Sequence, residues 1–159
     1  MDAQILWGFF LTVLPVFELR GGLPIIVEYT VRNGISIWPY FLIVLVLNIL
    51  VIFLIFMFFD SLHKLLINWR FYRRATGVIL TRIQKKVEKV QRRMDSWGYF
   101  ALMCFVAIPV PGSGAWTGTL VAWILGLDRW KSFVAIASGV IISGLLILFL
   151  SLGFFSGFS

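Results

Sequence analysis

The sequence predicts an all-α integral membrane protein, built as an inverted repeat of two halves. Each half is a re-entrant helical hairpin plus one transmembrane helix, and a basic amphipathic cytoplasmic segment joins them. Three observations lead there. First, 60% of the 159 residues are hydrophobic and only 13% are charged, against about 45–50% and about 25% in soluble domains. Second, two long uncharged stretches stand beside two that proline and glycine interrupt. Third, three short motifs recur in the same order in both halves. The length is that of one domain, 1–159, with repeat 1 at about 1–59, the linker at about 60–95 and repeat 2 at about 96–159.

The first element, residues 3–17, is uncharged and starts on Trp7-Gly8-Phe9-Phe10. Pro15 breaks it, because proline lacks the backbone donor and clashes with the preceding turn. After Glu18-Leu19-Arg20-Gly21-Gly22-Leu23, Pro24 is expected to break the chain again and to open the returning helix, since proline suits a first helical turn. Each piece crosses only part of about 30 Å of hydrocarbon, so a hairpin that returns to its own side is expected, with a single kinked span in each broken region as the alternative. Non-helical backbone at that depth must be buried in protein or line a watery cavity, which makes the tip a candidate site wall. Residues 33–59 carry no charge over 27 positions and predict a full span at roughly 37–59.

Residues 60–95 hold ten of the fourteen Lys and Arg and three acids, which is the whole net charge of +7 (10 − 3). Within them Ile79, Ile83, Val87, Val90 and Met94 recur at helical spacing, and Arg82, Lys85, Lys86, Lys89, Arg92 and Arg93 fill other positions. Such a helix lies on an anionic inner leaflet, so anionic membrane lipid is its expected partner. Lys/Arg-rich loops stay cytoplasmic. No nucleic-acid-binding module is recognisable in it.

The second half repeats the pattern. Trp97-Gly98-Tyr99-Phe100 matches the first motif, and Ile108-Pro109-Val110 matches Leu14-Pro15-Val16. Gly126, Trp130 and Phe133 match Gly34, Trp38 and Phe41 with identical spacing. Pro109 and Pro111 break the apolar run 96–127, and residues 132–159 predict the last span at about 132–153. A returning hairpin and one span cross the bilayer an odd number of times, so the second half is expected to be inverted. Broken helices meeting near the midplane in inverted repeats are a transporter signature.

Charges at membrane depth are costly and persist when paired or functional. Glu18 can take up and release a proton and is the candidate proton-coupling residue. Arg20 can clamp an anionic oxygen pair through its fork, with the backbone N–H groups of Gly21 and Gly22 beside it. The competing reading is that the two charges hold the tip together. The second tip offers Gly112, Ser113, Gly114, Trp116 and Thr117 as substrate-binding candidates, or as groups that satisfy the broken helix. Asn48, mid-span, reads as a packing residue. Paired carboxylates, a Ser/His/Asp arrangement, a phosphate loop and metal-spaced clusters are all lacking, so no enzyme activity, cofactor or metal is expected.

Pro15-Val16-Phe17-Glu18-Leu19-Arg20-Gly21-Gly22-Leu23-Pro24, with Pro109-Val110-Pro111-Gly112-Ser113-Gly114-Ala115-Trp116-Thr117-Gly118, resembles the prokaryotic small multidrug export proteins. The wider resemblance is to the DedA/VTT membrane proteins, whose two re-entrant hairpins face each other. It implies a site at Glu18 and Arg20, transport of lipids including polyprenyl phosphate carriers, and proton coupling. Two departures stand out. Leu47 replaces the glycine of the family's Gly-Asn pair, and no arginine lies between Arg93 and Arg129, where DedA-type proteins carry a functional one.

The function expected is therefore a transporter or flippase for an anionic amphiphile, a lipid phosphate such as a polyprenyl phosphate, in a prokaryotic plasma membrane. The alternatives are a proton-coupled exporter of lipophilic cations, drawing on 27 aromatic residues (16 + 7 + 4), and a membrane-organising protein that transports nothing. A homodimer is expected, because the polar tips need more cover than so few helices readily supply.

Overall fold

The computed structural model describes residues 3–66, 97–110 and 112–156. Pro111 and the whole expected basic helix at 79–94 lie outside the described residues. The described residues form α1 (Ala3–Val13), α2 (Glu18–Arg32), α3 (Trp38–Leu66), α4 (Trp97–Ala107), α5 (Ala115–Ile124) and α6 (Arg129–Ser156).

Helix lengths separate into two classes. At about 1.5 Å per residue, the 29 residues of α3 and the 28 of α6 run to about 44 and 42 Å. Both are long and apolar enough to cross a bilayer, over Trp38–Leu62 and Arg129–Phe155. The other four helices, of 11, 15, 11 and 10 residues, reach only about 15–22 Å. The breaks fall where the sequence places them at Pro15 and Pro109, with residues 14–17, 108–110 and 112–114 outside helix.

Pro24 is the correction. It breaks nothing, because α2 begins at Glu18 and carries Pro24 in its interior. Its ring leaves the Arg20 carbonyl four residues back without the usual donor, and membrane-protein helices tolerate this where neighbours cover the defect. The turn has already closed upstream, where Glu18 N–H donates to Leu14 O at 2.9 Å and Gly21 N–H to Phe17 O at 2.9 Å. The chain has no need to restart at Pro24.

The helices pack crosswise. α1 lies on α2 and α4 on α6, while α2 packs on α6 and α5 on α3. Small residues set the close approaches. A Cβ on Gly22 would run into Thr12 Oγ1 and the Gly8 carbonyl, and one on Gly139 would stand 2.7 Å from Met103 O. Leu23, Ile26, Val44, Ile52, Ile136 and Leu148 form the fully buried core. Buried Thr12, Thr30 and Thr119 return their hydroxyls to carbonyls of their own helices, so they add no unpaired donor to an apolar interior.

On α3, Leu42, Val46, Leu50, Phe53 and Met57 are exposed at spacings of three and four, opposite buried Phe41, Val44, Asn48, Ile52 and Ile55. An outward apolar stripe of this kind is what a lipid-facing helix presents. With two helices of spanning length, it is consistent with a membrane protein.

Some of the motifs that recur in sequence recur in geometry. Trp7 packs edge-on against Phe10, and Trp97 against Phe100, both at 84°. The second pair differs: Trp38 meets Phe41 edge-on at 82°, whereas Trp130 stacks on Phe133 at 16°. Gly34 and Gly126 both have φ of +62°. At each, the glycine N–H bonds three residues back and the next N–H five back: Gly34 to Val31 O and Ile35 to Thr30 O, Gly126 to Trp123 O and Leu127 to Ala122 O. This is the glycine C-cap, which needs a left-handed residue at that point.

Candidate functional site

Both tips come together in the middle of the fold, and the charges of the first tip meet the backbone of the second. α5 starts on Gly114, which has no side chain to cap it. Its first N–H groups need acceptors that no water would supply in an apolar interior. Glu18 supplies one: the Trp116 N–H donates to Glu18 Oε1 at 3.0 Å, and the Ala115 N–H faces the same carboxylate. A negative group at a helix N-terminus is also favoured by the helix dipole.

The end of α4 has the opposite need. Its last carbonyls lack donors, and Arg20 Nη2 donates to Val106 O at 3.2 Å and to Ile108 O at 3.0 Å. A cation at a helix C-terminus again matches the dipole. The bracing is reciprocal, because the Trp116 indole N–H reaches back to Val13 O, the last residue of α1, at 3.2 Å. Glu18 and Arg20 do not pair with each other; the ion pairs of the described residues include Arg32–Glu28 and Arg129–Asp60.

The fit around Glu18 is tight. A Cβ on Gly114 would overlap the Glu18 carboxyl group. Glu18 holds a φ of +48°, and no other non-glycine residue among those described has a positive φ. That region costs an L-residue about 1–2 kcal/mol, and such conformations persist where surrounding contacts over-determine them. Here the carboxylate bonds across the tips supply the determination.

Between the tips lies a cavity of only about 10 Å³, lined by Glu18, Leu19, Arg20, Asn48, Val106, Gly114, Ala115, Val140 and Ser143. Arg20 Nη1 and Ser143 Oγ are buried without a hydrogen-bond partner. Asn48, 2% exposed, donates to Val44 O on its own helix at 3.1 Å.

The remaining sequence candidates separate. Ser113 Oγ is within bonding range of Ile108 O and Val110 O, at 2.9 and 3.0 Å, so it serves the broken backbone. Gly112 takes a φ of +86° in the turn. Gly21 and Gly22 are helical: Gly21 bonds Phe17 O, and Gly22 forms the contact with α1. Neither presents an open amide to a ligand. Thr117 is half-buried on the first turn of α5. Sequence reasoning missed Ser143 and the carbonyls of Val13, Val106 and Ile108. Carbonyls carry no residue signature, whereas a serine in an apolar span does.

A family model described as Putative small multi-drug export protein matches residues 18–146. That stretch begins at Glu18 and contains both charges and the whole second tip. No curated protein and no solved structure matches the chain.

Proposed function

The chain belongs to the small multi-drug export family, and from that premise we propose that it is a membrane transporter that moves an anionic amphiphile across the bilayer. The substrate class is a lipid phosphate such as a polyprenyl phosphate, and Glu18 carries the coupling proton. The observation that carries this reading is the crossed bracing of the tips. The groups it engages are those a phosphate would use: a helix N-terminus and an arginine fork.

In the closed arrangement both groups are satisfied internally, and about 10 Å³ has room for a water-sized group and none for a phosphate. Transport therefore requires the tips to part. Backbone and charge at membrane depth need partners in the parted state too, and an anionic headgroup provides them. Protonating Glu18 removes the negative charge from the start of α5 and frees its amides for the phosphate. Arg20 then turns from the Val106 and Ile108 carbonyls to the same headgroup.

The matching glycine caps, the recurring aromatic pairs and the crosswise packing of α2 on α6 and α5 on α3 support an inverted repeat. The shortness of α1, α2, α4 and α5 supports re-entrant hairpins. A distant kinship of this family with the DedA/VTT proteins would favour a lipid substrate, although the second tip lacks the arginine those proteins carry. The basic composition of the linker supports a cytoplasmic position for residues 60–95 in a prokaryotic cell, and a homodimer would cover the tips further.

The family name favours a second reading, proton-coupled export of lipophilic cations. Against it, none of the described residues that line the tip cavity is aromatic, so cation–π contacts have no ring there. Transbilayer movement of a polyprenyl phosphate in proteoliposomes decides between them. Flux abolished in Arg20→Ala, and made independent of pH in Glu18→Gln, is the expected result. Undiminished flux in Arg20→Ala rejects the clamp. Proton flux evoked by a lipophilic cation and lost in Glu18→Gln selects the second reading.

A further inference from the structure

A second feature lies away from the tips, where the end of α3 meets the start of α6. Phe53, Phe56 and Met57 face Trp130 and Phe133 across a groove of about 390 Å³, closed at one end by Asp60 and Arg129. That volume is within the range of small-ligand sites. Phe53 is 60% exposed and Trp130 72%, so the groove opens on the outer surface, which in a membrane protein faces lipid.

The polar end decides what kind of lipid fits. Both Asp60 oxygens are engaged by Arg129, through Nη1 to Oδ2 and through Nη2 to Oδ1 at 2.7 Å. The Trp123 indole donates to Oδ1 as well, at 3.3 Å. The carboxylate thus has little left to offer a ligand. The guanidinium has five N–H donors and gives two of them to Asp60, which leaves three (5 − 2). The Arg129 side chain is 66% exposed and that of Asp60 only 20%. The pair therefore turns its positive member outward, with unused donors, at the mouth of an apolar groove.

We propose that this groove is a binding site for an anionic phospholipid of the surrounding bilayer. One acyl chain lies among Phe53, Met57, Trp130 and Phe133, and the headgroup phosphate bonds Arg129. A net-negative headgroup is preferred to a zwitterionic one, because the ammonium of the latter would find Asp60 already engaged. The inference is independent of transport, since lipid binding is read without flux.

The test is native mass spectrometry of the full chain in detergent with phosphatidylglycerol or phosphatidylcholine added. High salt screens the basic linker, and circular dichroism checks folding. The wild type is expected to prefer phosphatidylglycerol. The double variant Asp60→Asn, Arg129→Gln removes the charge without stranding either partner, and is expected to lose about fivefold in phosphatidylglycerol binding. Asp60→Asn alone frees Arg129 and is expected to gain by about the same factor. Trp130→Ala is expected to weaken binding of both lipids.

Equal binding of the two lipids by the wild type overturns the proposal, as does equal phosphatidylglycerol binding by all variants. If Asp60→Asn does not fold, Arg129→Lys decides: it must keep the preference that the double variant loses.

Discussion

The first tip, residues 14–17 with Glu18 and Arg20 just beyond, carries two charges within three positions. The second, residues 108–114, carries none. Yet each leaves the same groups exposed, carbonyls at the end of one short helix and N–H groups at the start of the next. The second tip has glycine where a capping side chain would stand. It takes its acceptor from Glu18 and its donor from Arg20, and returns the Trp116 indole to Val13 O. At the other ends of α2 and α5, by contrast, Gly34 and Gly126 close each helix with its own backbone in identical fashion. The halves are self-sufficient at these exposed ends and dependent on each other where they meet. Burial makes the difference, since a helix end without water must find its partners inside the protein.

Removing the donor is expected to have the largest effect. Arg20→Ala takes its charged donor from the Val106 carbonyl, at about 2–3 kcal/mol, while Ile108 O keeps the Val110 N–H and the Ser113 hydroxyl. The thermal midpoint in detergent should fall by several degrees, with Arg20→Lys intermediate. A midpoint unchanged in Arg20→Ala would mean that the tips do not rely on each other.

Steric displacement comes next. Gly114→Ala places a methyl group where the Glu18 carboxyl sits and should cost about 2–3 kcal/mol. Glu18→Ala vacates that space, so the double variant should fall short of the sum of the singles by at least about 1 kcal/mol. Additive losses in this double-mutant cycle would show that Gly114 and Glu18 act separately.

The smallest effect tests the self-sufficient ends. Nothing lies within 4 Å of a Cβ at Gly34 or Gly126, so alanine meets only backbone strain, about 1 kcal/mol at a positive φ. The two variants should agree within about 0.5 kcal/mol. Unequal losses in chemical denaturation would break the equivalence of the two caps.

Much of this frame is legible in the sequence. Both spans and both breaks follow from long uncharged runs and from Pro15 and Pro109, because hydropathy and the missing proline donor act locally. The Gly-x-x-x-Trp-x-x-Phe repeat marks the start of each span in the sequence, and the structure adds that its glycines cap the helices before it. The partners of Glu18 and Arg20 are not legible. They are amides and carbonyls nearly a hundred residues away, which any sequence would supply. Pro24 misleads because the rule for a first-turn proline is silent on whether the helix has already begun. The Asp60–Arg129 pair bridges 69 positions, and in sequence its members read only as a linker acid and a boundary base.

The smallness of the space between the tips has a consequence for the cell that houses the protein. A membrane that stores a proton gradient tolerates no standing hole, and about 10 Å³ is narrower than any hydrated ion requires. The space between the tips is therefore closed to a hydrated ion. Variants that loosen the tips without emptying them should short-circuit the gradient before they alter what is carried. Dissipation of membrane potential would then be an earlier sign of damage at this site than loss of transport.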